Sequence, residues 1–176
     1  RNLDDIKRKI KLVSGISTLE KYVPSEKKIK IIVDHREKGS GVLRELSSIG
    51  TEIHLEKIEN CDYLLSSRVG VEFKTIKDFV DSIIDGRLLQ QIKTLKQDFE
   101  RPLVVIEGTD DIYSARNVHP NSIRGMLATI AVSYGVPILF TRTPQETASL
   151  LFLIAKREQE ENGKDFTLQG EKRTMT

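Results

Sequence analysis

Val69-Gly70-Val71-Glu72-Phe73-Lys74 decides the fold. From Val71 to Lys74 apolar and charged residues alternate, a period of two that marks a strand. Side chains on a strand point to its two faces in turn, so Glu72 and Lys74 share one face and Phe73 takes the other. A polar turn, Ser66-Ser67-Arg68-Val69-Gly70, joins the Val71–Lys74 strand to Asp62-Tyr63-Leu64-Leu65. A hairpin centred near Ser67 sets Asp62 across from Glu72 and Lys74. Upstream, Ile29-Lys30-Ile31-Ile32-Val33 reads as a buried strand ending in Asp34-His35-Arg36-Glu37. Asp34, Asp62 and Glu72 are then three carboxylates able to converge, with Lys74, on a single metal ion. That combination suits metal-assisted phosphodiester hydrolysis. In a chain where 31% of residues are charged, the same spacing also suits a strand with a solvated charged face, and the rest of the sequence has to decide.

Working outward, strands are expected near 29–35, 51–57, 62–66, 69–74, 102–107 and 137–141, and helices near 40–49, 76–85, 87–98, 121–134 and 144–161. Leu103-Val104-Val105-Ile106 and Ile31-Ile32-Val33 are continuously apolar, as central strands covered on both faces are. The order β-α-β-β-β-α-α-β-α-β-α predicts an α/β fold, a mixed central sheet with helices on both sides. Thr143-Pro144-Gln145-Glu146 offers a capping box with proline at the first helical position. The helix that follows is apolar nearly all round, and the succession Leu150-Leu151-Phe152-Leu153-Ile154 points to a second buried face.

Composition narrows the class. With 176 residues and 38% apolar content the chain can bury one good core. It has no apolar run of the ~18 residues that a membrane span needs and no secretory signal. One cysteine allows no internal disulfide and fits a reducing, cytoplasmic setting. The chain opens on Arg1 rather than methionine and reads as a fragment of a longer protein. Residues 1–30 carry nine Lys/Arg and four Asp/Glu, a net of +5 in a chain of +2. Such a basic arm suits phosphate contacts, and equally a solvated linker. Three segments follow: a basic lead-in at 1–28, a body at 29–160, and a polar tail at 161–176. Within the lead-in, Ile16 to Val23 faintly resembles the peptide that binds the sliding clamp PCNA; a short linker helix is the other reading. The absence of G-x-G-x-x-G and of a P-loop removes the argument for a generic nucleotide-binding domain.

The linked motifs resemble the nuclease domain of the XPF/Hef family of structure-specific DNA endonucleases, most of all archaeal Hef proteins. The family pattern is GD followed by ERKxxxD. Here it reads Cys61-Asp62 and Glu72-Phe73-Lys74-Thr75-Ile76-Lys77-Asp78. Val33-Asp34-His35-Arg36-Glu37 matches the family's VDxRE strand. Asp85-Gly86-Arg87-Leu88, the stretch from Arg116 to Gly125, and Ala155-Lys156-Arg157-Glu158-Gln159 match further segments. The likeness runs from about Ile29 to Gln159. Two departures stand out: Cys61 replaces a glycine, and Phe73 replaces the central arginine, which puts catalytic rate or grip on DNA in question more than metal binding.

The resemblance implies a restriction-endonuclease-like fold of the PD-(D/E)XK type. It also implies a Mg²⁺- or Mn²⁺-dependent hydrolase, nucleoid-associated and of archaeal source, that cuts forked, flapped or branched DNA in repair or fork processing. On this reading Asp62 and Glu72 ligate the ion, Asp34 completes or orients the shell, and Lys74 orients the attacking water or stabilises the pentacovalent state. Arg36 and Arg87 are candidates for DNA phosphate contacts, though each can pair instead with Glu37 or Asp85. Asp78 is expected to fix local geometry or cap its helix. The resemblance further implies a homodimer through the helices near 121–134 and 144–161, and a helix-hairpin-helix DNA-binding region after the tail. The competing reading is a catalytically silent DNA-binding or dimerisation scaffold of the same fold, which Phe73 favours and the retained acids and lysine oppose.

Overall fold

The computed structural model describes residues 27–161 with Gly163 and Phe166. The lead-in through residue 26, with its candidate clamp segment at 16–23, and nearly all of the tail lie outside the described residues. Six strands form one sheet: β1 Lys30–Asp34, β2 Glu52–Glu56, β3 Tyr63–Leu64, β4 Val69–Thr75, β5 Arg101–Glu107 and β6 Ile138–Thr141. Their spatial order is β2-β1-β3-β4-β5-β6, and β3 alone runs antiparallel to its neighbours. The helices are α1 Gly41–Ser48, α2 Ile76–Ile84, α3 Leu88–Asp98, α4 Pro120–Ala128 and α5 Pro144–Lys156, with a 3-10 turn at His35–Glu37. The predicted mixed sheet, its element order and its two helical layers are all present.

Alternation along the strands assigns the two faces. Ile31, Val33, Tyr63, Val71, Leu103 and Val105 pack beneath α1 and α5. Ile32, Val104 and Ile106 pack beneath α2, α3 and α4. Leu88, Ile92 and Leu95 form the core stripe of α3 and are fully buried, each worth roughly 1.5–3 kcal/mol in transfer free energy. Thr143 caps α5 as its sequence suggests, accepting from the Glu146 amide at 3.2 Å.

Two expected helices do not run straight to their ends. After Ala128 and after Lys156 the backbone widens into π-helical turns, Thr129–Ser133 and Arg157–Glu161. The second of these turns brings the consecutive residues Glu158 and Gln159 inward together. Glu158 takes a bidentate pair from Arg68 at 2.8 and 3.0 Å. Gln159 accepts from the Lys30 amide and donates to the Lys30 and Leu65 carbonyls. The turn after α5 is thereby tied to the starts of β1 and β4. The second buried face expected on α5 is uncovered in the single chain: Leu151 is fully buried, whereas Leu153 is 46% exposed.

Gly70 is the position where the sheet and α3's C-terminus approach closest. A Cβ built there meets the Phe99 ring at 2.5 Å. Gly70→Ala is therefore expected to lower unfolding free energy by about 1–3 kcal/mol, the usual range for overpacking. Denaturant midpoints measure this, and Phe99→Leu in the same chain should recover part of the loss.

Candidate active site

Strands β1 and β4 run parallel through the intervening β3, so their carboxyl ends reach the same edge of the sheet, where open α/β folds place ligands. Asp62, Glu72 and Lys74 lie on the face covered by α2 and α3, each less than a tenth exposed. Lys74 Nζ stands 3.2 Å from Glu72 Oε1. The hairpin has the register read from the sequence, Tyr63 opposite Val71. Beyond that rung the Asp62 amide donates to the Val71 carbonyl, and its side chain takes over from the ladder: Asp62 Oδ2 accepts from the Phe73 amide at 2.8 Å. The Asp62 carbonyl accepts from the Asp34 amide, which fastens the residue to β1 as well.

These groups line an open cleft of about 320 Å³, with Arg36, Asp78 and Arg87 also on its walls. The Arg36 and Arg87 side chains are 67% and 55% exposed. Each also has the acidic neighbour that the sequence left open for it or near it: Arg87 stands 3.5 Å from Asp85, while Arg36 pairs with Asp34 rather than Glu37. Asp78 occupies the first turn of α2, but the cap of that helix is Thr75, whose Oγ1 accepts from the Asp78 amide.

Asp34 stands apart from the other two carboxylates in the donors it receives. Asp34 is buried, but both its oxygens are committed: Oδ2 accepts from the Arg36 amide and Nε, and Oδ1 from the Ile58 amide. Burial disfavours its charge, and these donors outweigh that and hold its carboxyl below the ordinary value. Among the described residues no group of three or more His, Cys, Asp or Glu is placed to hold a metal ion. Asp34 instead staples the 3-10 turn to the loop before β3.

Asp62 and Glu72 are the opposite case. Burial raises both, and for Glu72 the charge of Asp62 adds to it; against the pull of Lys74, its carboxyl is pushed up to about 7. Two desolvated carboxylates that repel each other's charge form a donor set suited to one hard divalent cation that keeps most of its waters. On a strand the carbonyl and amide of one residue face the same edge, so the Phe73 carbonyl is aimed toward Asp62 and offers a third oxygen.

Sequence reasoning missed several cleft residues. Glu37 lines the cleft and accepts from the Tyr63 hydroxyl at 3.0 Å. From α3 come Gln90, Gln91 and Thr94. The spacing of Arg87, Gln90, Gln91 and Thr94 is that of one helical face, and this polar stripe beside Leu88, Ile92 and Leu95 was the available signal. Cys61 also borders the cleft, and burial pushes its thiol up, far from any nucleophilic form.

The ERCC4 domain model matches residues 33–154. A Methanocaldococcus jannaschii protein, named provisionally as an ATP-dependent RNA helicase, is 45% identical over 134 residues, which cover 76% of this chain and 16% of that one. The 3'-flap repair endonuclease Xpf of Saccharolobus solfataricus is 31% identical over 133 residues, covering 74% of this chain and 56% of its own length. The chain thus spans about half or less of these relatives. The structure of XPF from Aeropyrum pernix in complex with DNA superposes with a TM-score of 0.68 at 29% identity, covering 76% of this chain and 66% of that chain. The restriction-endonuclease-like fold expected from the sequence is the fold observed.

Glu72 fixes a pH dependence. A carboxyl whose affinity for protons is higher folded than unfolded contributes stability that is complete below its ordinary value and is lost as pH rises through its folded value. In EDTA the melting temperature is thus expected to fall by roughly 5 °C between about pH 4.5 and 7. Thermal melts at each pH check this; Glu72→Gln should flatten the curve, and an unchanged slope in that variant would assign the dependence elsewhere.

Proposed function

The chain belongs to the ERCC4-domain family, and we propose that it is the nuclease domain of a metal-dependent endonuclease that hydrolyses phosphodiester bonds in forked, flapped or branched DNA during repair or fork processing. The observation that carries this reading is the buried Asp62–Glu72 pair beside Lys74, on one sheet face and open to one cleft. Asp62 and Glu72, with the Phe73 carbonyl, would hold Mg²⁺ or Mn²⁺. When bound, such an ion supplies Lewis-acid stabilisation of the phosphoryl oxygens and eases ionisation of a water. Asp62 is oriented by the Phe73 amide, and Glu72 by Lys74. In this reading the lysine amine, within reach of the same carboxylate, orients the attacking water or faces the oxygen on which charge develops. Arg36 and Arg87, exposed at the cleft, offer forked donors to the DNA backbone, which position the strand without reading its sequence. Asp34 acts at one remove, by holding the Arg36 turn.

A homodimer is part of the proposal. Val132 is 81% exposed, Phe140 57% and Leu153 46%. Val132 and Leu153 lie on the π-helical turn after α4 and on α5, the two elements expected to meet a second copy, and Phe140 lies on edge strand β6.

Two measurements test these readings. Labelled forked duplex with Mg²⁺ or Mn²⁺ is expected to be cut by the wild-type chain, and Asp62→Asn and Lys74→Ala should each lose roughly 100-fold or more in rate. Equal cutting by these variants would remove the assignment. An uncut fork that is still bound would favour the silent scaffold. Sedimentation equilibrium is expected to give a dimer that Val132→Asp with Phe140→Asp converts to a folded monomer; a monomeric wild type would remove the dimer.

A further inference from the structure

We infer that Gln91 is a positioning residue of the cation site, its carboxamide oxygen accepting from a water in the ion's hydration shell; this rests on the reading that Asp62 and Glu72 hold a divalent cation. On α3 the core stripe of Leu88, Ile92 and Leu95 adjoins the cleft stripe of Arg87, Gln90, Gln91 and Thr94. Gln91 sits where the two stripes meet, half-buried, in the same cleft wall as Cys61, Asp62 and Glu72. Its Oε1 is buried and lacks a hydrogen-bond donor, one of two such side-chain atoms among the described residues. The other, Thr51 Oγ1, precedes edge strand β2 and is not a cleft residue.

A buried acceptor without a donor is unfavourable, and leucine would fill this boundary position without that penalty. Glutamine there breaks the local rule at a site where the fold gains nothing from it, which is the signature of function. The missing donor identifies the ligand class. DNA phosphates bring acceptors, which an amide oxygen cannot use. A hydrated hard cation brings strongly polarised O–H donors, because Mg²⁺ and Mn²⁺ keep several of their waters. A neutral acceptor also fits this cleft better than another carboxylate, since Asp62 and Glu72 already repel. The terminal carboxamide torsion is broad, so the oxygen turns toward the cleft without moving the helix.

The test uses Mn²⁺ and DNA-free protein, with the bound ion read by electron paramagnetic resonance and stability read separately by denaturant in EDTA. Gln91→Leu is expected to weaken Mn²⁺ binding about tenfold or more, the usual effect of removing an outer-shell partner. The metal-free variant should be at least as stable as wild type, the reverse of what a structural glutamine gives. Gln91→Glu, which keeps the acceptor, should hold affinity within about threefold of wild type on the same scale. Unchanged Mn²⁺ affinity in Gln91→Leu overturns the inference. So does a variant whose only loss is of forked-DNA binding in EDTA, which would assign the oxygen to a base amino group. Wild-type protein that binds no Mn²⁺ removes the cation site itself, and so separates that failure from the failure of Gln91.

Discussion

The carboxyl edge of the sheet depends on one hydrogen bond, from the Phe73 amide to Oδ2 of Asp62. In a regular hairpin the backbone of β3 would continue to pair with β4 past the Tyr63–Val71 rung. Here the aspartate side chain stands in for that backbone. Because a side chain reaches farther than a carbonyl, the two strands can separate at this point while the Phe73 amide stays paired. The cleft opens where the ladder ends. The same substitution fixes one carboxylate oxygen against the backbone and leaves the other free. A buried carboxylate held in this way has a set orientation before any ligand arrives, which is the preorganisation that a metal or phosphoryl site requires.

Asp34 solves a related problem on the neighbouring strand and reaches the opposite result. It too ends a strand on the site face, and its amide donates to the Asp62 carbonyl at 2.9 Å. Donors from Arg36 and Ile58 reach both oxygens and stabilise its charge, whereas burial favours the protonated forms of Asp62 and Glu72. Three aspartate and glutamate side chains with similar exposure thus divide into one that builds the wall and two that have electrostatic reason to bind a cation. Arg36 links the two roles, since its backbone and Nε secure Asp34 while most of its side chain remains in solvent.

How far the sequence was legible follows from the range of the signals. Strands β1 and β5 are apolar on both faces, and β4 alternates, so short-range periodicity was sufficient for the fold. Asp62, Glu72 and Lys74 were legible for the same reason, being fixed to one another by strand alternation and a short turn. The donors that hold Asp34 were not legible, because the Ile58 amide lies 24 residues away in a loop without periodicity. Gln91 was passed over because one polar residue in an amphipathic helix looks like surface until the helix is docked. The π-helical turn at Arg157–Glu161 was illegible, since the partners of Glu158 and Gln159 are more than 90 residues distant in most cases.

Phe73, the departure from the family pattern that most favours a silent scaffold, is on the wrong side of the sheet to have that effect directly. Its ring meets Tyr63 edge-on, with centroids 6.2 Å apart, on the face beneath α1 and α5. Tyr63 in turn donates to Glu37, whose carboxyl is raised by its burial and by the charge of Asp62. An arginine at this position would enter that neighbourhood as a cation. The phenylalanine replaces the cation with an aromatic contact and leaves the Tyr63 hydroxyl as Glu37's partner. What it contributes to the cleft is its backbone, an amide for Asp62 and a carbonyl along the same edge, and these are the same for any side chain. The exchange therefore alters the electrostatics behind the site and leaves the donor set in front intact. A chain of this kind would differ from an arginine-bearing relative in how it holds Glu37, and not in where Asp62 and Glu72 stand.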